Sequence, residues 1–171
     1  MKRLAILRHA KSSWADAGMD DFDRPLNDRG RKAAGRIGEE LKARKLRFDL
    51  VLASSAARVR ETIAGVGEEY EFGSDVRFDD ELYGASAEML FAVVRALPEK
   101  MISVLIVGHN PGLEQVVAAL TRNDAAGLRA RIAKKFPTAA LAVIELDVGQ
   151  WERVSPGCGE IVELILPREL D

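Results

Sequence analysis

The chain contains two histidines, and each directly follows a run of apolar residues. His9 stands behind Arg8 at the end of "RLAILR" (3–8), and His109 follows Gly108 at the end of "MISVLIVG" (101–108). Between them "SSAARVRET" (54–62) follows a third apolar run, "DLVLAS" (49–54), and brings Arg58. A neutral imidazole is available near physiological pH, can attack phosphorus, and can carry a covalent phosphoryl group until water removes it. The planar guanidinium fork matches phosphate oxygens in bidentate fashion. Catalysis of phosphoryl transfer is largely positioning plus electrostatic stabilisation of charge on the peripheral oxygens. A histidine at a strand end, taken singly, is more often a structural or surface residue. The conjunction of three such ends with two histidines and two arginines is what points to phosphoryl chemistry.

These residues can act together only if the elements that carry them converge. Apolar runs at 3–8, 49–54, 101–108, 138–146 and 160–166 read as strands, and 101–108, rich in β-branched residues, reads as central and covered on both faces. Helical patterns lie between them. Residues 27–45 carry Ala33, Ile37 and Leu41 at four-residue spacing behind an Asn27 cap, 56–70 form a second helix, and 86–97 a third with Ser86 as cap and Pro98 beyond its end. A fourth opens at "NPGLEQVVAALT" with Asn110 as cap and Pro111 at its first position. Strands alternating with helices predict a three-layer α/β/α sandwich with a mainly parallel central sheet. In such sheets ligands bind beyond the carboxyl ends of the strands, so parallel strands would gather Arg8, His9, Ser54 to Arg58, Gly108 and His109 in one crevice. The helix after His109 would turn amide donors toward an anion.

Composition narrows the class. At 171 residues the length suits one domain, 1–171, and 47% apolar with 30% charged residues is ordinary for a folded globular chain. Twenty-five basic against 27 acidic residues leave a net charge of −2, which provides no general attraction to nucleic acid or to an anionic membrane. The single cysteine, Cys158, cannot close an intramolecular disulfide, which fits a reducing cytoplasm. The apolar part of "MKRLAIL" reaches charge too soon for a signal segment or a membrane span. The oligomeric state is left open by the sequence.

The motifs also carry a resemblance. "LRHAKSS" resembles the first-strand signature of the histidine phosphatase (phosphoglycerate mutase-like) superfamily, usually Arg-His-Gly, with Ala10 in place of glycine. "SSAARVRET" resembles that superfamily's Ser-Pro-x-x-Arg-Ala-x-x-Thr segment, with Ser54, Arg58 and Thr62 matching, and "VGHNPGLE" its second histidine motif. With "DRPLNDRG" (23–30) and the short length, the chain is similar to the small bacterial SixA-type phosphohistidine phosphatases. The resemblance implies that His9 is the phosphorylated nucleophile, that Arg8 and Arg58 bind phosphate oxygens, and that His109 completes the pocket. It adds Arg24 as a pocket-lining residue, or else a loop anchor, and Ser12 as a hydroxyl donor. The implied substrate is a phosphohistidine-carrying protein, with no metal or organic cofactor. A broad small-molecule phosphomonoesterase and a non-catalytic phosphate- or phosphoprotein-binding module are the alternatives.

Two departures bear on mechanism. Ala10 disfavours a left-handed backbone, so the turn after His9 must avoid positive φ. Cleaving alkyl phosphates needs an acid beside the leaving oxygen, and "FDDELYGAS" offers Asp79, Asp80 or Glu81, of which Glu81 is nearest the turn. An imidazole leaving group is protonated far more easily, so phosphohistidine needs such an acid less. The basic 121–136 segment reads more readily as a solvated helical face than as a docking helix, and Trp14 and Trp151 as core-edge residues rather than a pocket frame.

Overall fold

The computed structural model describes residues 1–170. Six strands form one sheet in the order β3-β2-β4-β1-β5-β6: β1 (Lys2–Arg8), β2 (Leu50–Ser54), β3 (Asp75–Asp79), β4 (Ser103–Gly108), β5 (Leu141–Leu146) and β6 (Gly159–Ile165). β1, β2, β3 and β4 run parallel, whereas β5 is antiparallel to both of its neighbours. The sheet is therefore mixed, with parallel pairing in its site-bearing half.

Alternation along the strands sends side chains to two cores, as the two-residue period of a pleated strand requires. Ala5 and Leu7 of β1 with Leu105 and Val107 of β4 face α1 (Asp28–Ala43) and α2 (Ala57–Glu69), which contribute Ile37, Leu41, Val59 and Val66. Leu4 and Ile6 with Val104 and Ile106 face the other way, onto α3 (Ala87–Arg95), α4 (Gly112–Leu120) and α5 (Leu128–Lys134). Full burial of such side chains contributes roughly 1.5–3 kcal/mol each, which is why β4 can read as one unbroken apolar run. Glycine permits the closest helix approaches. A Cβ on Gly30 of α1 would lie 2.1 Å from the Lys11 carbonyl oxygen, and one on Gly112 of α4 the same distance from that of Ala85.

Several boundaries differ from the sequence expectation. The 75–79 strand was not anticipated, because "DVRFD" alternates over only two apolar residues, Val76 and Phe78, too short a signal to stand out, and lies exposed at the sheet edge. β5 starts at Leu141 rather than 138, since Ala139 adopts a positive φ and its N–H bonds back to the Arg8 and His9 carbonyls. Asn27 and Ser86 cap α1 and α3 through their side chains as expected. α4 begins at Gly112 with Pro111 in the cap position, while Asn110 Oδ1 still accepts the Glu114 N–H at 3.3 Å. Of the basic 121–136 segment only Leu128–Lys134 is helical. Trp151 is a core residue whose indole N–H donates to the Met101 carbonyl at 2.7 Å, whereas Trp14 is exposed and stacks on Arg24.

Candidate active site

The register of the parallel strands sets the site. Arg8 at the end of β1 pairs with Gly108 at the end of β4, and Ala53 of β2 with Val107 of β4, so three strand ends lie side by side. His9 and His109, one residue beyond two of those ends, bring their rings to 5.3 Å between centroids at 53°. The His9 N–H donates to the Gly108 carbonyl at 3.0 Å, which joins the two turns directly.

His9 is buried, and its Nδ1 lies 2.6 Å from the Ala10 carbonyl oxygen. A carbonyl only accepts, so Nδ1 carries the proton and Nε2 of the neutral ring keeps its lone pair. Ala10 avoids positive φ, and its N–H donates at 3.0 Å to Thr62 Oγ1, whose own hydroxyl donates to the Arg58 carbonyl at 2.6 Å. A fully buried threonine thus ties the turn after His9 to the residue that supplies Arg58.

His109 is fixed from its other side. Its Nε2 is 2.7 Å from Ser54 Oγ, which also accepts the Ala56 N–H at 3.3 Å. Donation of the Ser54 hydroxyl to Nε2 satisfies all three groups and leaves the proton of His109 on Nδ1, a buried atom with no hydrogen-bond partner among the described residues. Tyr83 packs edge-on against the His109 ring with centroids 5.3 Å apart.

Burial holds both imidazoles neutral. Desolvation pushes His9 down to about 3 and His109 to about 4, helped in each case by the positive charges of Arg58 and Arg8. Arg8 donates to the Phe136 carbonyl at 3.1 Å, with its Nε left unbonded among the described residues. Its pKa is lowered chiefly by burial, partly offset by the Glu114 carboxylate. Arg58 is held by Asp21, donating to its carbonyl at 2.7 Å and to its carboxylate at 3.1 Å. Tyr83 donates its hydroxyl to the same carboxylate at 2.5 Å, which lowers the Asp21 pKa and raises that of the phenol.

The structure therefore brings together His9, His109, Arg8 and Arg58. Arg24 is buried but committed to its own loop, donating to the Ser13 and Asp16 carbonyls at 3.3 and 3.4 Å and stacking on Trp14 at 3.8 Å. Its Nε lies 3.8 Å from Oδ1 of Asp21, the carboxylate that also holds Arg58. Ser12 forms a bridge with Leu26, and its carbonyl accepts from Asn27 at 3.4 Å. Glu81 is exposed, with its backbone N–H donating to Asp79 Oδ1 at 2.9 Å. Three amides at the start of α4 are already taken: those of Leu113, Glu114 and Gln115 donate to the His109 carbonyl, Asn110 Oδ1 and the Pro111 carbonyl. They do not supply the anion donors expected of that helix.

Asp21 and Tyr83 were missed by the sequence reading. Asp21 lies in an acidic loop without a motif, and Tyr83 was read only as part of a turn. Two cations and two neutral imidazoles around one point can bind a tetrahedral dianion, present an imidazole lone pair to phosphorus, and donate a hydrogen bond from the second ring.

Comparison with known proteins identifies the family. Residues 4–90 match the family model for the histidine phosphatase superfamily (branch 1). An uncharacterized protein of Mycobacterium tuberculosis is 38% identical over 95% of this chain and 100% of its own length. A structure assigned to the phosphohistidine phosphatase SixA of Agrobacterium tumefaciens is 33% identical, with a TM-score of 0.81 over 97% of this chain and 98% of that one. The structure of a protein histidine phosphatase SixA complexed with tungstate is 26% identical, with a TM-score of 0.80 over 99% of both chains. The chain belongs to branch 1 of the histidine phosphatase superfamily and is a phosphatase of the SixA type.

Proposed function

We propose that this phosphatase removes the phosphoryl group from phosphohistidine in a protein, through a covalent phosphohistidine at His9. The observation that carries the reading is the His9 ring: Nδ1 is committed to the Ala10 carbonyl, so Nε2 faces the pocket as a neutral nucleophile. Nε2 attacks phosphorus as the substrate's P–N bond breaks, and a proton on the far nitrogen of the substrate ring lets it depart as neutral imidazole. Water then attacks the phosphoryl group on Nε2, releasing phosphate and restoring His9. Arg8 and Arg58 hold the peripheral oxygens, and the His109 Nδ1–H stabilises the charge that develops on them.

Two further observations support this substrate. Glu81, the candidate acid nearest the turn, is exposed, and an imidazole leaving group does not require it. Two of the structural relatives are named as phosphohistidine or protein histidine phosphatases, one of them holding tungstate, a tetrahedral oxyanion. Removing phosphoryl groups from histidine-phosphorylated proteins is signalling chemistry. A free Cys158 fits a reducing cytoplasm as its setting.

The test is phosphate release from a histidine-phosphorylated protein and from an aryl phosphomonoester, compared side by side. A strong preference for phosphohistidine supports the assignment. Preference for the monoester would make the chain a small-molecule phosphomonoesterase, and phosphate affinity without turnover of either would make it a phosphate-binding module.

A further inference from the structure

Beside the catalytic pocket lies a second concavity, of about 400 Å³, whose lining contains Lys11, Arg29, Lys32, Arg36, Lys135 and Arg168 and no carboxylate among the described residues. It begins at Lys11, two residues beyond His9, where α1 packs through Gly30 against the Lys11 backbone. Lys135 and Pro137 flank Phe136, whose carbonyl holds Arg8, and Ala139 bonds the His9 carbonyl. From that rim the groove follows α1, where Arg29, Lys32 and Arg36 share one face.

Charge is concentrated here against the trend of the molecule, whose net charge is −2. Elsewhere on the surface Arg31, Arg44, Arg122 and Arg131 each face a carboxylate. Arg36 donates to the Leu170 carbonyl. Lys11, Arg29, Lys32, Lys135 and Arg168 are exposed and have no carboxylate partner among the described residues. Exposed, flexible cations spread along a groove suit a broad acidic surface better than a single anion at fixed geometry.

We propose that this groove docks the acidic surface of the protein substrate, beside its phosphorylated histidine; the inference rests on the phosphohistidine-protein reading above. A phosphohistidine seated over His9 places its flanking residues on the rim that Lys11 opens. Complementary charge there raises encounter rate and discriminates among partners, and it is sensitive to salt.

The experiment uses the full chain with three substrates: free phosphohistidine, a phosphohistidine peptide flanked by glutamates, and the same peptide flanked by lysines. The wild type should prefer the glutamate-flanked peptide by about tenfold or more in kcat/KM at low salt, a preference collapsing at about 0.5 M salt. The double variant Arg29→Glu/Lys32→Glu, both exposed and outside the catalytic pocket, should lose that preference while hydrolysing free phosphohistidine as before. Equal kcat/KM for the two peptides, or a preference that survives the double variant, overturns the proposal. Failure to hydrolyse any of the three is a separate result, against the phosphohistidine assignment. Affinities for the same peptides built with a non-hydrolysable phosphohistidine analogue then decide the docking, equal Kd values overturning it.

Discussion

Thr62 gives the sharpest link between local chemistry and catalysis. Thr62→Val conserves shape and nearly conserves helix propensity, so the change is confined to the hydroxyl. Its loss leaves the buried Ala10 N–H, now bonded at 3.0 Å, without an acceptor. An unsatisfied buried donor costs about 1–3 kcal/mol, and the Arg58 carbonyl loses only a supplementary partner, so a destabilisation of about 2 kcal/mol is expected. For a chain of this size that lowers Tm by about 4–8 °C. The same N–H fixes the residue whose carbonyl orients His9, so the nucleophile should loosen as well, with kcat/KM falling by about tenfold to a hundredfold. Thermal unfolding and steady-state kinetics would be measured on wild type, Thr62→Val and Thr62→Ser, the serine retaining the hydroxyl. An unchanged Tm and unchanged kinetics in the valine variant would refute the reasoning, as would a serine variant no better than valine.

Other outcomes follow from the same site. His9 is neutral when folded down to about pH 3 but takes up a proton near pH 6.5 when unfolded, so its contribution is present above about 6.5 and is lost as pH falls toward 3. Fully lost it amounts to roughly 4–5 kcal/mol, and urea unfolding across this window should be flatter in His9→Asn. Asp21→Asn frees Arg58 from a half-exposed carboxylate, and vanadate inhibition should tighten by about threefold to tenfold, as read from inhibition curves. Glu81→Gln should leave phosphohistidine turnover within about twofold of wild type, since an exposed carboxylate is not needed for an imidazole leaving group; a large loss in stopped assays would place that acid in the reaction.

What the sequence disclosed depends on how far each feature is local. β1, β2 and β4 were legible because each is an apolar run ending in a polar group, and their parallel pairing brings Arg8, Ser54 and His109 together. β3 was not, because an edge strand exposed along most of its length carries only two alternating apolar residues, Val76 and Phe78, too few to mark it. Nor was the orientation of β5: two helices, α4 and α5, separate it from β4, so the chain enters β5 at the site-bearing end of the sheet, and its apolar run reads the same in either direction. Within the site, residue identities were legible from motifs, but the groups that orient them were not. Ser54 on His109, Thr62 on Ala10 and Asp21 on Arg58 join residues 55, 52 and 37 positions apart. Such pairings exist only after the sheet has formed. The α4 amides show the converse, a local rule overridden when nearby acceptors in residues 109–111 took the donors.

The central claim is that the phosphoryl group passes through His9. The most direct measurement is a rapid-quench trap of the enzyme with a phosphorylated substrate, followed by mapping of the attached phosphate in wild type and His9→Ala. The account predicts a phosphoenzyme that is labile to acid and stable to alkali, confined to His9 and absent from the variant. Phosphate found on another residue, or turnover retained by His9→Ala, would contradict it.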